Sequence, residues 1–218
     1  MKSLSNVGAE RLGDALGESI DDGAKLSIIS SYFTVFAYGE LKEELSKVDE
    51  VRFLFSEPTF IKRMADSKEP REFEVARRAR EVGVSGSGLE LTLRNNLNQR
   101  ALARECAEWI REKGVFKSAK TSGAIQPGGT YVVENPSGDA HAFMGAAANF
   151  TQEGLGYERR PGTVTCVSHF ENATEAVGLK MMFESVWDNP AMSRRSPRRW
   201  PPRSRRSTAR TRPSSSIS

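Results

Sequence analysis

The pattern that most constrains the fold is a strand, a helix and a second strand in close succession. Residues 25–33 form a mostly apolar run of the length of a buried strand. Residues 36–48 carry leucine and valine at helical spacing, and residues 51–55 have the composition of a second short strand. A helical crossover between neighbouring strands is typical of parallel pairing, so this segment predicts an α/β fold.

Both kinds of element recur along the rest of the chain. The 218 residues, 38% of them hydrophobic, are enough for one domain with its own core. The glycine-rich run Gly83–Gly88 is typical of a flexible loop. Together the patterns predict a mixed, mainly parallel sheet flanked by helices on both faces. Further helices are predicted at 9–22, 98–113 and 174–188, and further strands at 115–118, 130–134, 140–144 and 162–170.

Positive charge is concentrated at the carboxyl end. Beyond Asp188 the chain has nine arginines and neither a lysine nor an acidic residue. Removing those nine charges from the net charge of +4 leaves residues 1–190 at −5. Residues 191–218 are mostly Arg, Ser, Pro and Thr, so we predict a folded domain over 1–190 and a disordered tail over 191–218. The tail is either a basic arm for nucleic acid or the out-of-frame translation of a GC-rich gene.

Compartment is indicated by what the sequence does not contain. It has no run of about 18 apolar residues, which a transmembrane helix would need. The first ten residues lack the pattern of a secretory signal. Cys106 and Cys166 are far apart in the sequence, which favours two reduced, buried thiols. We therefore expect a cytoplasmic protein with no membrane partner.

A hairpin followed by a turn of small residues is the most informative local motif. Asn135–Asp139 is predicted to be the hairpin turn, and Gly145–Ala148 follows the second strand. Small residues at a strand end let the backbone come close to a ligand or to another backbone. Asn149 and Thr151 are predicted to cap the segment that follows them. These features indicate the rim of a pocket.

This stretch resembles the second half of the active-site motif of the phospholipase D superfamily, Gly-Ser-x-Asn followed by Phe/Leu-Thr-x-x-Gly-Leu. The strand at 25–33 is similar to that family's first strand, and the helix at 98–113 precedes a strand as it does there. The resemblance covers about residues 8–190. It implies a phospholipase D-like half with a phosphate site edged by Gly145, Asn149 and Thr151. The matching residues are Gly145, Asn149, Phe150, Thr151, Gly154 and Leu155.

The chain departs from this family where its chemistry is performed. The family uses one histidine as nucleophile, a second as proton donor, and lysines that stabilise the phosphate. Aligned on Tyr131, the chain has Pro127 at the histidine position, Gly129 at the lysine position and Glu134 near the acidic position. It also has one extra residue between Gly145 and Asn149, and no His-x-Lys triplet. We therefore expect a domain without the superfamily's catalysis.

Two histidines, His141 and His169, are the remaining candidates for catalysis, together with Glu134. His141 lies on the strand before the small-residue turn, where it either faces the pocket or points to the solvent or hairpin side. For His169 a structural role is the simpler interpretation. Two histidines without nearby cysteines or clustered carboxylates do not supply a metal ligand set. Since no phosphate loop, Ser-His-Asp arrangement or dinucleotide fingerprint occurs either, we expect no cofactor.

The last predicted helix narrows the resemblance. Residues 179–189 are similar to the Phe-x-x-Leu-Trp-x-Asp helix that closes this domain in bacterial and archaeal helicases and related restriction systems. The alternative interpretation of residues 179–189 is an amphipathic helix that only packs on the sheet. Three functions stay open: a truncated helicase-associated accessory domain that binds DNA, RNA or a motor domain; a phosphodiesterase or nuclease that uses His141 in a homodimer; and an oligomerisation module with exposed Phe183 and Trp187.

Overall fold

The protein is described by a computed structural model over residues 1–56, 88–121, 123, 125, 128–158 and 165–195, with backbone alone for 88–99. Several sequence predictions therefore lie outside the described residues. These are a charged stretch at 71–81 whose composition is compatible with a helix, the loop at 83–87, the start of the strand predicted at 162, the residue Pro127 and the tail beyond Arg195.

Within those ranges the chain forms eight strands and six helices. Every strand and helix predicted there is found, but the helix predicted at 36–48 is divided at Leu41 and the helix predicted at 98–113 begins at Gly88. Most other boundaries shift by a few residues. The strands are β1 (Lys2–Leu4), β2 (Lys25–Ser30), β3 (Glu50–Phe55), β4 (Gly114–Ala119), β5 (Gly129–Glu134), β6 (Ala140–Gly145), β7 (Val167–Phe170) and β8 (Ser193–Arg195). The helices are α1 (Leu12–Glu18), α2 (Val35–Glu40), α3 (Lys42–Lys47), α4 (Gly88–Lys113), α5 (Gln152–Leu155) and α6 (Ala173–Trp187).

The described strands form one mixed sheet in the order β1-β7-β6-β5-β2-β3-β4-β8. Pairing is parallel between β2 and β3 and between β3 and β4. The other five neighbouring pairs are antiparallel. The prediction of a mixed α/β sheet is confirmed, but "mainly parallel" is wrong. Parallel pairing is confined to strands whose connections contain helices, whereas β5 and β6 form a hairpin.

Side chains of the central strands pack alternately into different apolar clusters. Ile28 belongs to the main cluster, which also contains Leu16 of α1 and Trp109 of α4. Its neighbour Ile29 packs instead with Leu54 and with residues of α6. This alternation is expected for strands with a period of two residues. It also explains why the run at 25–33 shows no polar face in the sequence.

A buried charge joins α6 to the sheet. Arg52 of β3 is 5% exposed. Its guanidinium donates to the Oγ of Ser27 at 2.7 and 3.0 Å, and to both carboxylate oxygens of Glu184 at 2.8 and 2.9 Å. It also lies 3.5 Å from Glu134, which forms an ion pair with Lys180 of α6. The helix is therefore held by specific polar contacts as well as by apolar packing.

The aromatic residues of α6 are not the exposed surface that the sequence predicts. Phe183 is 1% exposed and Trp187 is 7% exposed, because both pack on the sheet. The guanidinium carbon of Arg52 lies 4.8 Å from the centre of the Phe183 ring, a cation–π contact. An interaction surface formed by these two rings is therefore ruled out.

Ordered structure continues past the boundary predicted at residue 190. Arg194 and Arg195 belong to β8, which pairs antiparallel with β4. The hydroxyl of Ser193 donates to the carbonyl of Trp187 at 3.1 Å, and this contact fastens the end of α6 to the strand. The domain therefore extends at least to Arg195, and the first two arginines of the basic stretch lie within it.

The two thiols differ in environment. Both are free, but Cys106 is buried while Cys166 is exposed, which corrects the prediction of two buried thiols. Burial raises the pKa of Cys106 to about 12, so its reactive thiolate form is suppressed. Among the helices of the described ranges, none has the length and apolar character needed to cross a membrane.

Candidate functional site

The resemblance places the site at the edge of the sheet where β2 and β6 end and β5 begins. Gly129 at the start of β5 is opposite Gly145 at the end of β6. Thr130 is opposite Ile29, near the end of β2. The turn after β6 therefore lies beside the carboxyl end of β2. We call this region the site edge, formed by residues 30–34, 56, 118, 128–130 and 145–151.

Asn149 connects the turn to β2. Its side-chain oxygen accepts a hydrogen bond from the Ser31 backbone N–H at 3.0 Å and lies 3.1 Å from the Ser30 hydroxyl. The same hydroxyl oxygen accepts from the backbone N–H of Phe150 at 3.0 Å. The prediction that Asn149 caps the following helix is therefore wrong. Its side chain turns back to the neighbouring strand because the end of β2 offers an unpaired N–H.

Thr151 has the capping role that the sequence predicts. Its hydroxyl oxygen accepts from the backbone N–H of Gly154 at 3.0 Å, at the first turn of α5. A Cβ on Gly154 would lie 2.1 Å from the Asn149 carbonyl oxygen, so this position needs glycine. The motif residues Asn149, Thr151 and Gly154 thus form one compact turn. Their roles in this structure are conformational.

Two phenylalanines anchor that turn in the core. The rings of Phe33 and Phe150 stack with their centres 5.1 Å apart. The backbone N–H of Thr34 donates to the Phe150 carbonyl at 3.1 Å, and the two segments form an isolated parallel bridge. The chain after β2 and the chain after β6 therefore hold each other in place, which fixes the geometry of the site edge.

The position aligned with the family's lysine is closed by backbone. A Cβ added to Gly129 would lie 1.5 Å from the carbonyl oxygen of Ala148. That carbonyl is held in place, since it accepts a hydrogen bond of 2.7 Å from the buried Tyr131 hydroxyl. The small-residue turn, with its one extra residue, therefore occupies the space that a side chain at position 129 would need.

Serines at the strand ends are part of the site edge, and sequence reasoning missed them. The hydroxyls of Ser31 and Ser56 are hydrogen-bonded at 2.7 Å, at the ends of the parallel strands β2 and β3. At the end of β4 the buried Ser118 hydroxyl has no hydrogen-bond partner among the described residues. Tyr32 is 58% exposed beside them. The signal in the sequence was a polar residue directly after each apolar strand run.

Glu134 and His141 lie away from the site edge. Glu134 is at the far end of β5, five residues from Gly129 or roughly 16 Å along the strand, and is paired with Arg52 and Lys180. His141 is opposite Val133, about 13 Å along β6 from Gly145. Neither residue can act on a group bound beside Asn149. Of the two orientations left open for His141, the register of β6 supports the one on the hairpin side.

The two histidines instead meet each other. The Nε2 of His169 lies 3.4 Å from the Nδ1 of His141, and the Nε2 of His141 lies 3.1 Å from an oxygen of Asp139. The ring of Phe143 stacks on His169 with centres 4.2 Å apart. Burial, with a smaller effect of His141, lowers the pKa of His169, which favours the neutral imidazole at neutral pH. Pairing across β6 and β7 brings together residues that are 28 positions apart.

We expect Asn149→Ala to destabilise the protein by about 1–3 kcal/mol, since the Ser31 N–H loses its acceptor while the Ser30 hydroxyl keeps only the Tyr32 carbonyl. Asn149→Asp keeps an oxygen in that place and should cost less. Urea unfolding monitored by tryptophan fluorescence measures both variants. Equal stability of Asn149→Ala and wild type would show that the turn is not held by this side chain.

Compared with protein-family models and with curated proteins, the sequence matches none. The chemistry of the site edge therefore has to be judged from its own groups. Its described residues include mostly buried hydroxyls, backbone amides and one exposed aromatic ring, and none of the residues of the site edge is a histidine or a lysine. Such a surface can bind a polar ligand but holds no nucleophile of the phospholipase D kind.

Proposed function

We propose that residues 1–195 form a phospholipase D-like accessory domain that binds nucleic acid without cleaving it, of the kind associated with helicases and restriction systems. The arrangement of strands supports this proposal. Two parallel pairings lie beside a hairpin whose second strand ends in the motif turn. The alternation of Ile28 and Ile29 between separate clusters supports helices on both faces of the sheet.

The observation that carries the proposal is the contact between Gly129 and Ala148. A catalytic lysine at position 129 would need space that the Ala148 carbonyl occupies. Because both histidines are near the hairpin, the described residues of the site edge supply neither the imidazole nor the ammonium groups of the phospholipase D motif. Loss of a single group would leave a damaged active site, whereas this geometry indicates a surface with another use.

Binding would use the groups that remain at the site edge. Tyr32 is exposed and offers a flat ring on which an unpaired base can stack, a contact of about 1–3 kcal/mol per base. The hydroxyls of Ser31 and Ser56 beneath it are buried and hydrogen-bonded to each other, so the Tyr32 ring is the main exposed contact. The charge of −5 over residues 1–190 opposes a polyanion, so this binding should be weak and sensitive to salt.

The experiment is a fluorescence anisotropy titration with labelled single-stranded and duplex DNA and RNA at low and physiological salt. A full-length variant with the arginines after Arg195 changed to serine removes their direct contribution. We expect weak binding that decreases with salt, and a further decrease in Tyr32→Ala. Met181→Ala, a change at an exposed residue of α6, is the matched control. Absence of binding at low salt in the serine variant would reject the proposal.

A second candidate, an oligomerisation module, is favoured by a different surface from the one predicted. Val177, Met181 and Met182 are 48%, 67% and 38% exposed on the outer side of α6. Residues four positions apart share one side of a helix, so Val177 and Met181 form a small apolar patch. Light scattering on the full chain and on Val177→Glu/Met181→Glu tests it. A dimer that the double variant disrupts would support this function over nucleic-acid binding.

A further inference from the structure

The two histidines face each other at the spacing of two ligands of a tetrahedral metal ion. We infer that His141 and His169 bind a divalent transition-metal ion of the zinc, copper or nickel class, with Asp139 as the supporting carboxylate. The facing nitrogens, Nδ1 of His141 and Nε2 of His169, are 3.4 Å apart. A tetrahedral ion with metal–nitrogen bonds of about 2.0–2.1 Å places two ligand nitrogens roughly 3.3–3.4 Å apart. The two rings would therefore need little movement to become ligands.

Asp139 sets the state of the first ligand. Its oxygen lies 3.1 Å from the Nε2 of His141, so the proton of the neutral ring is held there and the lone pair of Nδ1 faces His169. A carboxylate behind a ligating histidine is the usual second partner of a metal-bound imidazole, which it orients and makes more basic. Imidazole in turn is a preferred ligand of zinc, copper and nickel.

The second ligand is held in place by its neighbours. The ring of Phe143 stacks against His169 with centres 4.2 Å apart, which keeps the imidazole beside His141. When the ion binds to the Nε2 of His169, the hydrogen on this nitrogen leaves to solvent and the Nδ1 of the same ring takes up a hydrogen from solvent. Neutral His169 therefore becomes a ligand without net release of a proton.

The surroundings limit the strength of this site. Among the described residues, no group of three or more His, Cys, Asp or Glu side chains is placed to hold an ion, so water completes the coordination. Lys2 and the N-terminal amine are nearby cations that disfavour a further positive charge, while Glu171 opposes them. The amine is itself paired with Glu175 at 2.7 Å, which reduces its effect. The expected site is accessible and exchangeable, because the His141 side chain is 18% exposed.

The test is a calorimetric titration of the full chain with ZnCl2 at neutral pH in metal-free buffer. It is done in a Cys166→Ser background, since the exposed thiol is a competing ligand. We expect one Zn2+ per chain. His141→Ala and His169→Ala should each lower the affinity by at least about tenfold, and Asp139→Asn by about 10–100-fold, the usual effect of losing a supporting carboxylate. Asp22→Asn, an exposed carboxylate elsewhere, should leave it unchanged.

Imidazole signals in NMR spectra test the same inference without substitution at the site. The chain has two histidines, so both ring spectra can be assigned and followed as Zn2+ is added. Joint movement of both sets at one equivalent supports the site. Saturable binding that leaves either ring unmoved would overturn it. So would undiminished binding in His141→Ala/His169→Ala, or no saturable binding at millimolar Zn2+.

Discussion

Gly129→Ala is expected to destabilise the protein by about 3 kcal/mol or more, at or beyond the upper end of what overpacking usually costs. The added Cβ would lie 1.5 Å from the Ala148 carbonyl oxygen. No side-chain rotation can relieve this clash, because the backbone fixes the positions of both atoms. Either β5 or the turn must move, and the turn is held by Tyr131 and Asn149. Gly129→Lys, which would restore the family's residue type, should cost at least as much.

Gly178→Ala is the matched control for that experiment. Gly178 lies within α6 and a Cβ there would meet nothing within 4 Å. Replacing glycine by alanine in a helix interior stabilises by up to about 1 kcal/mol, so this variant should be neutral or more stable than wild type. Urea midpoints of the two variants give the comparison. If Gly129→Ala were as stable as Gly178→Ala, the lysine position would be open and the proposed reason for the missing catalysis would fail.

Arg52→Met is expected to destabilise the protein by about 1.5–3 kcal/mol, because Glu184, whose side chain is 32% exposed, loses its charged hydrogen-bond partner. Glu184 loses two hydrogen bonds and Ser27 loses two as well. Arg52→Met/Glu184→Met, which removes both charges, should recover a large part of the loss. The exposed Lys25–Glu50 ion pair joins β2 and β3, the strands that also carry Ser27 and Arg52. Removing this exposed pair should cost no more than about 1 kcal/mol.

The contribution of this ion pair depends on pH with a definite sign. The hydrogen bond from Arg52, more than the nearby charges, lowers the pKa of Glu184 below its ordinary value of 4.5. A carboxylate whose pKa is lowered by folding stabilises the folded state above its unfolded pKa, and that contribution disappears as the pH falls through the folded pKa. The difference in stability between wild type and Arg52→Met should therefore be constant near neutral pH and shrink below 4.5. An unchanged difference in acid would contradict the assigned role of Glu184.

Local patterns predicted much of the fold. The helix predicted at 98–113 lies within α4, where Cys106 and Trp109 are buried, and the predicted hairpin turn at Asn135–Asp139 is closed by its own backbone hydrogen bonds. The parallel pairing of β2 and β3 was predicted from their helical crossover and is confirmed, but the direction of β5 beside β2 depends on which strands become neighbours. A crossover near the start of the chain suggested parallel strands, yet β5 inserts beside β2 in the antiparallel direction.

The candidate site shows the same division. Thr151 was correctly placed as a cap because capping is decided within a few residues of sequence. The roles of Asn149, Glu134 and His141 depend on partners far away in the chain, at Ser31, Arg52 and His169. No spacing within one segment contains that information. The lack of space for a side chain at Gly129 likewise depends on the course of the turn that follows β6, which the sequence did not predict.

The proposed absence of phospholipase D catalysis can be measured directly as phosphodiester turnover. Purified full-length protein is incubated with a chromogenic phosphodiester, beside His141→Ala and His169→Ala. We expect no release of the chromophore above the buffer blank and no difference among the three proteins. Turnover by the wild type that is lost in His141→Ala would contradict it and would favour an active site completed by a second chain.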